Sequence, residues 1–356
     1  MSKSRKAAEA LQVADLERYD RQMRFAPLGE AGQRRLLAAR VTLIGCGALG
    51  SVMANTLVRA GVGCLRIVDR DCIELSNLQR QVLFSEDDIA SGLPKAEAAR
   101  RCLQRVNTAV TVEAVIDEAS PGNIEALAEH ADLLLDGTDN FETRYLINDL
   151  AVKTGRPWVF GAVAGARGLV MPILPGQTPC LRCVFEQGLP PELNRTADTD
   201  GILAPAVQTV AAHQAMEAIK ILAGCLDAVD RRLWQLDLWS GRRVPIHVAG
   251  ARDASCPCCG QGRFEYLQRR TEPPATRRVG HQTVQVFPRE PARIAFAALA
   301  RRLESQAGIE VRFNPYMLRA RLEDLQITLF ADGRAIVRGT DDPAAAQALC
   351  ERMIRA

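Results

Sequence analysis

Short apolar runs alternate with longer amphipathic ones through the first 160 residues. "ARVTLIGCG" reads as a buried parallel strand ending in glycines, and residues 49–60 follow as a helix. "CLRIVD" is a second strand ending at Asp69, and "PKAEAARRCLQRVN" is helical. "VTVEAVI" is a strand, "PGNIEALAEHA" a helix, and "DLLLDGTDN" another buried strand. "ETRYLINDLAVKTG" is a helix closed by Gly155, and "PWVFGAV" is a strand again.

This alternation predicts an α/β fold with a Rossmann-like, doubly wound parallel sheet. From residue 161 the pattern changes. "GLVMPILPG" and "LWQLDLWSGRRVPIHV" are short alternating strands suited to an antiparallel extension. Between them "APAVQTVAAHQAMEAIKILAG" is one long helix, with Pro205 in its first turn and Gly224 at its end. Residues 1–20 read as a charged helical arm, 21–262 as the main domain, and the Arg- and Pro-rich 263–281 as a linker. Residues 282–356 read as a small C-terminal α+β module whose "ADGR" makes a hairpin turn.

Composition narrows the class. Over 356 residues, 47% hydrophobic and 24% charged content describes a folded chain long enough for two domains. A net charge of +3 with scattered arginine pairs gives no footprint for nucleic acid. No run reaches the ~18 apolar residues that a membrane crossing needs. The N-terminus lacks the apolar core of a signal peptide, so a cytoplasmic location is expected. In a reducing compartment the 11 cysteines are not expected to form disulfides, so clustered ones point to metal or thiol chemistry.

In "GCGALG", Gly45, Gly47 and Gly50 follow a strand and open a helix. Glycines let the backbone approach phosphates, and the helix start supplies free N–H groups. Asp69 ends the next strand, about 20 residues on, where an acid accepts hydrogen bonds from ribose hydroxyls. That much suits NAD as well as ATP. The following residues discriminate: Asn77, Arg80 and Gln81 in "SNLQRQ" come just after the acid, and Arg80, with Lys95 at a helix start, supplies the cations a triphosphate needs. Asp136 and Asp139 in "DGTDN" end a parallel strand, and a carboxylate beside a triphosphate is a Mg²⁺ ligand candidate.

Two cysteine pairs stand apart. Cys180-x-x-Cys183 and Cys256-x-x-Cys259 can close a tetrahedral thiolate site around Zn²⁺, with Cys258 as a spare thiol. Four protein ligands leave no open position, so the expected role is structural.

"RYDRQ", "GCGALGS", "SNLQRQ", "PKAEAA", "DGTDNFETR", "PCLRC", "ILAPAV" and "CPCC" together resemble the ThiF/MoeB/HesA family of adenylyltransferases, relatives of ubiquitin-activating enzymes. The resemblance covers about residues 17 to 262; the C-terminal module looks like the extension on some thiazole-biosynthesis members. It implies Mg-ATP and the C-terminal Gly-Gly tail of a small ubiquitin-like sulfur carrier as substrates, for thiazole (thiamine) or molybdopterin biosynthesis. By the family pattern Asp69 holds the ribose, while Asn77, Arg80 and Lys95 hold phosphates. Asp139 positions Mg²⁺, Asn140 joins the nucleotide contacts, and Arg21 reaches the phosphates from the partner subunit of a homodimer.

The chain departs from its relatives in "TADTDGILAPAV". Many carry a cysteine, which in some members links covalently to the carrier, where this chain has Ala197. A methyl group cannot attack an acyl-adenylate, so a separate sulfur donor is one expectation. Two other functions stay open at this level: activation for a bacterial ubiquitin-like conjugation system, and NAD-dependent oxidoreduction, which rests on the glycine loop and Asp69 alone.

Overall fold

The computed structural model describes residues 17–186, 200–269, 275–280, 282–288, 293–305 and 308–355. Ala197 and most of the N-terminal arm lie outside them. The chain divides into two compact units, Met1–Arg269 and Arg270–Ala356.

The first unit is built on an eight-stranded sheet of order β3-β2-β1-β4-β5-β6-β7-β8. Its strands are β1 (Arg40–Ile44), β2 (Cys64–Val68), β3 (Thr111–Val115), β4 (Leu133–Asp136), β5 (Trp158–Ala164), β6 (Arg167–Ile173), β7 (Leu233–Asp237) and β8 (Arg242–Ile246). The first five run parallel, and the pairs from β5 to β8 are antiparallel. Strand order reverses between β1 and β4. Such a switch point opens a crevice at the carboxyl ends of the strands, where ligands of doubly wound sheets bind.

Among the described residues, the helices of ten residues or more in this unit are α1 (Gly29–Ala38), α2 (Ala48–Ala60), α3 (Lys95–Val106), α4 (Phe141–Thr154) and α5 (Ala204–Ala223). α5 packs on α1, α2, β5 and β6, while α4 packs against β4 and β5. The period-two alternation of β5 serves both layers. Trp158 and Phe160 join the core that holds Leu146, Ile147 and Leu150 of α4, whereas Gly161 faces Gln214 of α5. α2, α4 and α5 each end on a left-handed glycine, Gly61, Gly155 and Gly224.

Some local expectations differ from the structure. The helix read from "PGNIEALAEHA" is one turn, Ile124–Leu127. The Asn123 side chain accepts the Ser120 N–H at 2.8 Å to close the turn before it, and the helix stops at its cap Ala128, short of His130 with its φ of +64°. The stretch read as a linker carries elements at both ends. The helical turn Glu265–Gln268 packs on α4, and strand β9 (Thr276–Gly280) belongs to the second sheet. Tyr19, in the stretch read as an arm, is buried, and its hydroxyl accepts the Asn107 amide at 2.9 Å.

The second unit is a six-stranded antiparallel sheet. Beside β9 it contains β10 (Thr283–Val286), β11 (Ile309–Phe313), β12 (Met317–Leu322), β13 (Leu325–Phe330) and β14 (Ala335–Arg338), in the order β11-β12-β13-β14-β10-β9. α6 (Phe296–Glu304) and α7 (Pro343–Arg355) supply Leu299, Leu303, Leu349 and Met353 to its core. The "ADGR" turn joins β13 to β14, with Gly333 at φ +88°.

Candidate active site

The glycine loop leaves β1 at the switch point. Gly45 has φ +87°, and a Cβ there would meet the carbonyl oxygen of Gly137 at 2.6 Å. A Cβ on Gly50 would likewise strike the Gly45 carbonyl, and one on Gly137 would lie 3.1 Å from the Gly50 Cα, so α2 starts hard against the turn after β4. Gly47 differs. A Cβ there would meet nothing nearer than the Gln81 amide nitrogen at 3.8 Å, which leaves approach room on that side. Among the described residues no side chain caps α2, so its first N–H groups stay available to an anion.

Asp69 is tied into the same loop. Its Oδ2 accepts the Cys46 N–H at 2.7 Å and its Oδ1 accepts the Asp71 N–H at 2.8 Å. A carboxylate has about four acceptor positions, so further donors such as hydroxyls can still be received. Burial pushes its pKa up to about 6, against the pull of Lys95. Burial also holds the Cys46 thiol well above its usual range, which removes it as a nucleophile.

Lys95 opens α3 and is buried, with Nζ 3.1 Å from Asp71 Oδ2. Burial works against its charge, but Asp71, Asp69 and Asp139 outweigh it and hold the ammonium's pKa above the usual lysine range. Asn77 is buried in a one-turn helix, where its Oδ1 accepts the Glu74 N–H at 3.2 Å. Arg80 follows, partly exposed, with Nη1 donating to the Ser76 carbonyl at 2.8 Å. Asp139 is exposed beyond β4. Asn140 caps α4, its Oδ1 accepting the Thr143 N–H at 2.9 Å. Arg21 stands apart on the turn Asp20–Met23, its side chain 86% exposed.

Two residues escaped the sequence reading. Arg144 is buried on α4: Nε donates to Asp136 Oδ2 at 3.0 Å, and Nη2 to the carbonyls of Thr138 at 2.7 Å and Gly161 at 3.1 Å. Its guanidinium lies over Phe141 and Phe160, 5.0 and 5.4 Å from the ring centroids. Gln214 of α5 donates to the Asp136 carbonyl at 2.9 Å from the other layer. A buried aspartate at a strand end demands such partners, which was the available signal.

The four paired cysteines converge. Their sulfurs lie within 4.8 Å of one another, with Cys180–Cys183 at 3.8 Å, Cys180–Cys256 at 3.7 Å and Cys183–Cys259 at 3.3 Å. Metal–sulfur bonds of about 2.3 Å in a tetrahedron give sulfur–sulfur edges of about 3.8 Å, so the set fits zinc. Burial pushes the Cys259 thiol up to about 11, and a bound cation would reverse that by stabilising the thiolate. Cys258 is buried beside the cluster and receives the Asn148 amide at 3.3 Å. Asn148 also accepts the Leu181 N–H at 2.8 Å, which fastens both cysteine segments to α4.

Fold and site together define a doubly wound α/β protein with a glycine loop at the switch point, an acid at the end of the second strand and a four-cysteine cluster. The chain belongs to the ThiF family, whose pattern matches residues 19–258. It is 42% identical over 337 residues to the sulfur carrier protein ThiS adenylyltransferase of Bacillus subtilis, covering 95% of this chain and 99% of that one. A sulfur carrier protein adenylyltransferase of Thermus thermophilus is 38% identical over 251 residues, 69% of this chain and 91% of that one. The crystal structure of E. coli MccB with ATP matches at a TM-score of 0.59 and 22% identity, covering 73% of this chain and 86% of that one.

Proposed function

We propose that this protein uses ATP to adenylate the C-terminal Gly-Gly carboxylate of a small ubiquitin-like sulfur carrier, releasing pyrophosphate. The observation that carries the reading is the assembly at the β1/β4 switch point of an open glycine loop, Asp69, buried Lys95 and exposed Asp139. The Bacillus relative, matched over nearly the whole chain, supports the same chemistry. Its alignment covers 95% of this chain, against 69% for the Thermus relative. That coverage favours thiazole (thiamine) biosynthesis over molybdopterin.

Asp69 receives the ribose hydroxyls, and the N–H groups opening α2 face the phosphates. Asn77, Arg80 and Lys95 hold phosphate oxygens, and Arg21 arrives from the partner subunit of a homodimer. A carrier carboxylate oxygen bonds to the α-phosphorus while the bond to the bridging oxygen of the β-phosphate breaks. Pyrophosphate leaves with the electron pair. No general base is needed, because an α-carboxyl with a pKa of about 3.5 is ionised at neutral pH. Two anions must meet, so fixed cations should supply most of the rate enhancement. Magnesium, held by Asp139 and phosphate oxygens, would neutralise charge on the phosphates.

Cys180, Cys183, Cys256 and Cys259 would hold zinc in a structural role. A separate donor supplies sulfur after adenylation, since Ala197 offers no nucleophile. Among the described residues no helix is long and apolar enough to cross a membrane. The free and clustered cysteines fit a cytoplasmic setting. The test is intact mass. A carrier ending in Gly-Gly, incubated with ATP and this protein, should gain one adenylyl group. Truncation of the two glycines should abolish the gain, and an unchanged intact carrier would overturn the reading.

A further inference from the structure

We infer that Arg144 is a positioning residue that fixes Asp139 for metal binding. The inference rests on the proposed adenylation site and extends it to a buried side chain behind the turn that carries Asp139.

Asp139 has no strand or helix of its own. It sits between the end of β4 at Asp136 and the start of α4 at Phe141. Both of its neighbours in the chain are held. The Thr138 carbonyl, which belongs to the peptide linking Thr138 to Asp139, accepts Arg144 Nη2 at 2.7 Å. Asn140, on the other side, is locked as the α4 cap. Asp136 closes the turn from below: its Oδ1 accepts the N–H and hydroxyl of Thr138 at 2.9 and 2.7 Å, and its Oδ2 accepts Arg144 Nε at 3.0 Å. The Arg144 side chain is 5% exposed and that of Asp136 0%.

A buried ion pair of this kind rarely adds stability over well-packed apolar residues of similar volume. What it supplies is geometry. A guanidinium presents a rigid fork of donors, and here one fork reaches Asp136, Thr138 and Gly161 at once. An ammonium at the same position keeps the charge for Asp136 but is a single point that cannot span all three acceptors. Hard cations such as Mg²⁺ demand near-ideal ligand placement, so a loosened Asp139 should weaken metal binding before anything else.

The experiment measures Mn²⁺ binding by electron paramagnetic resonance in the presence of a non-hydrolysable ATP analogue, and analogue binding without metal by calorimetry. Arg144→Lys should weaken Mn²⁺ at least tenfold while metal-free analogue affinity stays within twofold of wild type. Thr138→Val, which removes the hydroxyl bond to Asp136 Oδ1 and leaves the Arg144 Nε contact to Asp136 Oδ2 in place, should shift Mn²⁺ affinity in the same direction, and it serves if Arg144→Lys fails to fold. Unchanged Mn²⁺ affinity in a folded variant overturns the inference. So does a parallel loss of both affinities, the mark of general damage. If the wild-type protein binds no analogue at all, it is the adenylation reading that fails.

Discussion

Asp69 Oδ2 accepts the backbone N–H of Cys46 at 2.7 Å, so the acid at the end of β2 and the glycine loop after β1 are one hydrogen-bonded unit. The residue that would hold the ribose therefore also sets the loop that would hold the phosphates.

That coupling has a pH signature. Burial raises the Asp69 pKa from 3.8 to about 6. As pH falls through about 6 the carboxylate gains a proton and loses acceptor capacity, so ATP affinity should drop over that window. The sign for stability is opposite: this group favours the fold below pH 3.8, an advantage lost as pH rises through about 6. Calorimetry of ATP binding from about pH 5 to about pH 8, which brackets the shifted carboxyl, checks the first claim. Asp69→Asn should bind weakly with no step near pH 6; a wild-type affinity flat across the range contradicts it.

The cysteine cluster should hold about one zinc per chain after gentle purification. Cys259→Ser should lose the ion and lower the melting temperature by at least about 5 °C, because metal binding in a closed thiolate site is folding energy. Elemental analysis and a thermal melt settle it together. Metal-free protein with an unchanged melt would show that the four sulfurs converge for packing alone.

Much of this was legible in the sequence because local pattern and site chemistry coincide. The apolar strand before Gly45 and the acid ending "CLRIVD" mark the switch point by themselves. α5 begins and ends at its Pro and Gly signals. Arg144 and Gln214 were hidden for a physical reason. Each lies on a helix, where a polar residue usually meets solvent, and each finds Asp136 only through the fold, Gln214 from 78 positions away. The one-turn helix at Ile124–Leu127 was overread because Asn123 spends its side chain on the preceding turn, a competition that periodicity does not register.

Ala197 predicts an absence that a gel can test. With no thiol at that position, and with Cys180 and Cys183 in the four-sulfur cluster, the carrier should be adenylated without forming a band linked to this protein on a non-reducing gel. Ala197→Cys should be the substitution that creates one. A reductant-sensitive adduct in the present sequence would mean another cysteine serves, Cys258 being the first to replace.

Arg21 predicts complementation between subunits. Its side chain is 86% exposed, on a turn that precedes the nucleotide-binding strands. Chains carrying Arg21→Ala and Asp139→Ala should each be nearly inactive, and mixing them should restore part of the activity in mixed dimers that keep one complete site. Sedimentation shows whether subunits exchange. No recovery after exchange would place Arg21 outside the partner's site.

The most direct measurement is ATP–pyrophosphate exchange in the presence of a small carrier ending in Gly-Gly. The account predicts exchange that requires the carrier and both terminal glycines. In Asp139→Ala the rate should fall at least about a hundredfold, roughly 2.7 kcal/mol of barrier. No exchange with any such carrier, or near wild-type exchange in Asp139→Ala, would contradict it.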